Sequence, residues 1–114
     1  MPLLKIQTNI EIKEPDKKTL LAKASQLTAE QLGKPESYVM VIIESQQPML
    51  FAGNDAPLAY LELKSIGLPE NKTKDLSQAL CNLVNTEITI PQDRIYIEFA
   101  NAERGMWGWN GATF

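Results

Sequence analysis

The chain has 114 residues, 44% of them hydrophobic, with eleven Lys and Arg against fourteen Asp and Glu and a formal net charge of −3. That length fits one domain, residues 1–114, with a modest core, and the acidic balance argues against a nucleic-acid footprint, which needs a basic face. There is no histidine and one cysteine, Cys81, which excludes an internal disulfide, a zinc framework and His-based nucleophilic triads.

The chain opens on Met1-Pro2. No cationic stretch followed by an apolar one marks a secretory signal. A small second residue, proline included, permits methionine removal, so the mature chain is expected to start at Pro2, whose nitrogen is then a secondary amine. Without histidine, the α-amino group is the one group whose ordinary pKa, about 7.7–8.0, lies near neutrality. If the protein moves protons, that atom is the first candidate. A Met-Pro start also occurs with no chemical meaning.

Residues 3–8 read as a short strand and 9–15 as the turn out of it. A helix is predicted from Asp16, with Pro15 before it and acidic residues at the positive end of its dipole. Leu20, Ala24, Leu27 and Gln31 follow helical spacing, Gly33 suits the C′ position, and Pro35 prevents continuation. Residues 38–44 are apolar without alternation, which predicts a central strand covered on both faces. Residues 45–57, with Pro48, Gly53, Asn54, Asp55 and Pro57, read as loop, with a short extended piece at Met49-Leu50-Phe51. A third strand is predicted over 58–64, a turn over 65–69, and a second helix over 71–87 with Leu76, Leu80, Leu83 and Val84 on one side. A fourth strand follows over 94–99, a turn over 101–105, and a short fifth strand at Met106-Trp107-Gly108-Trp109. The longest apolar run, Val39 to Ile43, is five residues, against the ~20 needed to cross a bilayer. The chain is expected to be soluble and cytoplasmic; leaderless export is not readable from sequence.

At an offset of 56 residues, Leu20 falls on Leu76, Ala24 on Leu80, Leu27 on Leu83 and Pro35 on Pro91. The chain therefore reads as two β-α-β pseudo-repeats, about 1–57 and 58–114. The expected class is α+β: a four-stranded mixed sheet, two helices on one face and a short extra C-terminal strand. The helix-free face then lacks cover, and the apolar run at 39–43 predicts an oligomer with its sheets facing inward.

Several motifs in this order resemble one family. They are Pro2 before a strand, Gly33-Lys34-Pro35, Ser65-Ile66-Gly67, Asp93-Arg94-Ile95-Tyr96-Ile97, and Gly108-Trp109-Asn110 with terminal Thr113-Phe114. Together they are similar, end to end, to the macrophage migration inhibitory factor (MIF) family of the tautomerase superfamily. The resemblance implies a ring-shaped homotrimer with pockets between subunits. It also implies cofactor-independent keto–enol tautomerase activity on phenylpyruvate-like or dopachrome-like compounds, with no metal and no nucleic-acid or membrane partner. Pro2 would be the general acid–base catalyst. Lys34 would pair with the substrate carboxylate and Ile66 would offer a backbone contact. Tyr96 would come from the neighbouring subunit, and Trp109 and Tyr38 would lie at the rim. Some animal members are also secreted cytokines, which makes a MIF-like protein-binding module with vestigial activity the alternative.

Each residue also has a plainer role open to it. Lys34 can complement a helix C-terminus, Ile66 can be turn packing, Tyr96 a sheet residue and Trp109 an interface anchor. The chain departs from the family pattern as well. Leu58 and Leu61 replace its cysteine pair, Glu98 stands where animal members carry a substrate-binding asparagine, and Trp107 replaces a smaller residue at the pocket mouth. A related dehalogenase or hydratase would need extra pocket arginines, and only Arg94 and Arg104 are present.

Overall fold

The computed structural model describes all 114 residues. In chain order the elements are β1 (Leu3–Thr8), α1 (Glu14–Leu32), β2 (Met40–Glu44), β3 (Ala59–Ile66), α2 (Thr73–Ile88), β4 (Ile95–Ala102), β5 (Gly108–Trp109) and β6 (Ala112–Thr113). The four long strands form one sheet in the order β2-β1-β3-β4. β1 runs parallel to β2 and β3 parallel to β4, while β1 and β3 are antiparallel. The two β-α-β units therefore join through β1 and β3, with both helices on one face, as the repeat predicts.

Strand alternation decides what lies under the helices. Leu4 and Ile6 of β1, and Ala59, Leu61 and Leu63 of β3, are buried against Leu20 and Ala24 of α1 and Leu76, Leu80 and Val84 of α2. The intervening residues Lys5, Gln7, Glu62 and Lys64 stand on the open face. There Lys5 pairs with Glu44 at 3.4 Å. Lys23 and Glu87 tie α1 to α2 at 3.0 Å.

One sequence expectation is overturned. β2 is an edge strand, not a central one covered on both faces. The second unit attaches to β1, which leaves the far side of β2 free. Val41 and Ile43 are half-buried against the core, whereas Met40 is 61% and Ile42 38% exposed. The uncovered apolar area is thus narrower than the run of five residues suggests, because charged residues fill the rest of that face.

Some boundaries also move. α1 begins at Glu14, with Pro15 inside the first turn, where its missing N–H has no partner to lose. Tyr38 belongs to a 3-10 turn (Glu36–Tyr38) and not to the strand. Ser65 and Ile66 extend β3 instead of forming a turn, and Asn101 and Ala102 extend β4. The fifth strand is the first half of a hairpin: β5 pairs with β6 through Asn110 and Gly111, both at positive φ. Asn-Gly is a strong hairpin signal, and Met106 lies before the hairpin in a 3-10 turn.

The repeat extends to the helix ends. Gly33 closes α1 in the left-handed region, with Gly33 N–H donating to the Glu30 carbonyl and Lys34 N–H to that of Ala29. The equivalent residue after α2 is Thr89, held at φ 58° although it is β-branched and exposed. Left-handed backbone costs a non-glycine residue about 1–2 kcal/mol, and glycine's greater unfolded freedom offsets part of that. Thr89→Gly is therefore expected to stabilise the fold by ~0.5–1 kcal/mol in urea unfolding; a destabilised variant would show that the Thr89 side chain contributes more than its backbone costs.

Candidate functional site

The start of β1 lies inside the sheet. The Pro2 carbonyl accepts from Met40 N–H at 3.0 Å, and the Pro2 side chain is fully buried. On its other side the antiparallel register pairs Leu3 with Lys64, and continued along the two chains it brings Ile66 level with Met1. The first residues thus have β2 on one side and the end of β3 on the other.

Lys34 reaches this point from α1. The helix cap at Gly33 turns the backbone so that Lys34 Nζ donates to the Ile66 carbonyl at 3.2 Å. Lys34 is half-buried, and its ammonium acts on the chain terminus. Burial first, and the Lys34 charge second, hold the Met1 α-amine below its usual value of 8.0. Both disfavour a second positive charge there. Met1, Lys34 and Ile66 therefore form one group, with Pro2 adjoining.

A cavity of about 420 Å³ opens on Pro2, and eight of its eleven lining residues are apolar. Tyr38, Trp107, Trp109 and Phe114 form its aromatic side. The Tyr38 ring meets Trp109 edge-on at 5.6 Å and Phe114 at 5.9 Å, and Trp109 stacks on Phe114 at 5.3 Å. The β5–β6 hairpin sets this cluster, since Phe114 N–H returns to the Trp107 carbonyl at 3.2 Å. A larger hollow of about 520 Å³ at Asn9, Gln47 and Asp55 has only two apolar residues among six and lies away from the amine.

Of the residues singled out in the sequence, Pro2, Tyr38 and Trp109 line one cavity, and Lys34 and Ile66 meet beside the chain start. Tyr96 does not join them. It stands 66% exposed on the outer strand β4. Its register through Tyr60 to Gln7 places it two strands across and five residues along, roughly 19 Å from Pro2 of the same chain. Glu98 is on β4 too, opposite Glu62, and partial burial and then these two carboxylates push the Tyr60 phenol up. Phe114 and Met40 also line the cavity. Neither is among the site residues that the sequence suggests, and for Phe114 the Asn110-Gly111 turn is the available signal. No group of three or more acidic or cysteine side chains is arranged to hold a metal ion, and no helix is long and apolar enough to cross a membrane.

A family model described as macrophage migration inhibitory factor matches residues 1–114. A macrophage migration inhibitory factor homolog from Brugia malayi is 40% identical, over 100% of this chain and 99% of that one. The homologue from Prochlorococcus marinus has a solved structure with a TM-score of 0.93 and 42% identity, covering 98% of each chain. The Trichinella spiralis protein gives a TM-score of 0.91 at 38% identity, covering 98% of this chain and 99% of that one.

Replacing Lys34 with Met removes the smaller of the two causes acting on the terminal amine. In a chain that retains Met1, its α-amine pKa is then expected to rise toward 8.0 while staying below it, because burial remains. The pH dependence of α-amine acylation measures this. An unchanged or lowered value would show that the Lys34 charge does not act there.

Proposed function

Since this chain belongs to the macrophage migration inhibitory factor family, within the tautomerase superfamily, we propose that it is a cofactor-independent keto–enol tautomerase of phenylpyruvate-like and dopachrome-like compounds, with Pro2 as general acid–base catalyst. The observation that carries the reading is the position of Pro2, buried at an apolar cavity beside a lysine. With Met1 attached, the Pro2 nitrogen is a tertiary amide with no lone pair for a proton. The reading therefore requires removal of Met1, which also vacates part of the cavity lining.

The chemistry follows from the surroundings. A neutral prolyl amine takes a proton from the carbon beside the keto group. The prolinium so formed returns a proton to the carbonyl oxygen as the double bond shifts, which restores the neutral amine and leaves the enol with no net change in atoms. A base works best with a pKa near the operating pH. A prolyl amine is intrinsically more basic than an ordinary terminus. Burial and Lys34 lower the Met1 amine one residue away, and the same two causes acting on a Pro2 amine would bring it down. Lys34 pairs with the substrate carboxylate and stabilises the developing enolate. Tyr38 and Trp109 hold the aromatic end. In a homotrimer, as the family resemblance implies, the partner subunit's Tyr96 would supply the remaining wall, a reading supported by its distance from Pro2 of its own chain. The exposed Met40 and Ile42 on the outer strand β2 support such assembly. The proposal includes a cytoplasmic setting for this reaction.

A second reading, a protein ligand acting on cells, is favoured by the name the relatives carry. It has no need of an unblocked Pro2.

Pro2→Gly is expected to lower phenylpyruvate enolisation by about 10²–10⁴-fold with the circular dichroism spectrum retained. Intact mass should show wild-type protein lacking Met1. Full turnover by a chain that keeps Met1 would sink the role of the amine. Sharing of the pocket is tested by refolding Pro2→Gly together with Tyr96→Ala. Mixed oligomers contain sites with Pro2 from one subunit and Tyr96 from the other, so activity should exceed that of either variant alone. A mixture no more active than its components would argue against composite sites.

A further inference from the structure

The connection from β2 to β3, residues 45–58, contains no helix or long strand. Such a long irregular stretch is uncommon in a compact domain unless it serves a function. It is also strained. Ala52 and Gly53 both sit at positive φ, in a tight reversal closed by paired backbone hydrogen bonds between Phe51 and Asn54. For Ala52 that conformation costs about 1–2 kcal/mol.

One side chain holds the reversal. Arg94, just before β4, donates from Nε to the Pro57 carbonyl at 3.0 Å and from Nη1 to that of Phe51 at 3.2 Å. Its Nη2 donates to the Asn54 carbonyl at 3.1 Å and the Ala56 carbonyl at 3.0 Å. The guanidinium carbon also lies 5.2 Å from the centre of the Phe51 ring. All three nitrogens are engaged on backbone of the one loop. A lysine could not match this, since its donors radiate from a single atom. No carboxylate neutralises Arg94.

What the clamp presents is aromatic. Phe51, between loop and strand, packs on Tyr96 with ring centres 4.8 Å apart. Beside them Leu50 is 70% exposed, and all eight residues lining the adjoining hollow of about 430 Å³ are apolar. We propose that Arg94 is a positioning residue for substrate binding: it fixes Phe51, which fixes the ring of Tyr96 as the wall that this chain lends to a neighbour's cavity. The inference rests on the reading above, in which Tyr96 serves a second subunit. Its physical basis is preorganisation. A wall held in place before substrate arrives loses less freedom on binding than a mobile loop does.

The test measures phenylpyruvate binding by quenching of tryptophan fluorescence, and turnover separately, on the full chain. Arg94→Met is expected to raise Kd and KM about tenfold, the scale of a lost aromatic contact, with kcat within about twofold because the base and Lys34 are untouched. Arg94→Lys should recover part of the loss, and it carries the comparison if the methionine variant does not fold. Adding Arg94→Met to Tyr96→Ala should cost nothing further, since one acts through the other. Unchanged affinity in the Arg94 variants, or a full extra penalty on top of Tyr96→Ala, would overturn the proposal. Wild-type protein that binds without turning over would refute the Pro2 chemistry and leave the Arg94 comparison decisive in the binding assay.

Discussion

The structure depends on where β1 is pinned. Like β3, it has a partner from its own unit on one side and a partner from the other unit on the other, and it alone of the two begins at the chain terminus. An N-terminal segment is ordinarily among the most mobile parts of a domain. Here the ladder leaves the first residues no freedom to fray: Met40 N–H reaches the Pro2 carbonyl, and the β3 register begins one residue later. The hydrophobic core under Leu4 and Ile6 fixes that register, because a slip of one residue would turn Lys5 and Gln7 into the core. Ordinary core packing thus becomes the device that holds a chain terminus at a fixed place in a cavity.

That placement gives electrostatics something to act on. In a chain without histidine, an amine near neutrality is the natural proton carrier. Lys34 sits beside it without an acidic partner, held instead by the neutral carbonyl of Ile66. A carboxylate there would quench the lysine's field and raise the amine. A carbonyl orients the lysine and leaves its charge free. The cap on α1 contributes directly, because the left-handed turn at Gly33 sends the next residue back toward the sheet. The second repeat has the same turn at Thr89, but the residue after it, in the place of Lys34, is Ile90, which is fully buried in the core. One unit of the duplicated fold therefore carries the amine site and the other does not.

The second unit is specialised differently. Its outer strand carries Tyr96, and the loop before β3 is shaped by Arg94 instead of by a core of its own. The two outer strands of the sheet are also unlike. β2 exposes Met40 and Ile42 beside the aromatic cluster of the C-terminal hairpin, whereas β4 exposes Tyr96 next to Leu50 and Phe51. Two apolar rims at opposite ends of one sheet suit head-to-tail association, which closes into a ring when the rotation permits.

Much of this was legible in the residues. Spacing of Leu20, Ala24, Leu76 and Leu80 fixed two helices and their buried faces, the offset of 56 residues fixed the β-α-β repeat, and Gly33-Lys34-Pro35 fixed where α1 stops. These are local matters of period and backbone preference, which a chain encodes over a few residues. The sequence could not say that residues 40–44 form an edge. An unbroken apolar run reports two apolar faces but says nothing about which side is hydrogen-bonded, and a face covered by a second chain reads like one covered by the same chain. Nor could it join Lys34 to Ile66 across 32 residues, keep Tyr96 from the cavity of its own chain, or close Arg94 on four carbonyls of a distant loop. Those facts follow from strand order and register, which arise only when the two units pack, so they belong to the tertiary structure alone.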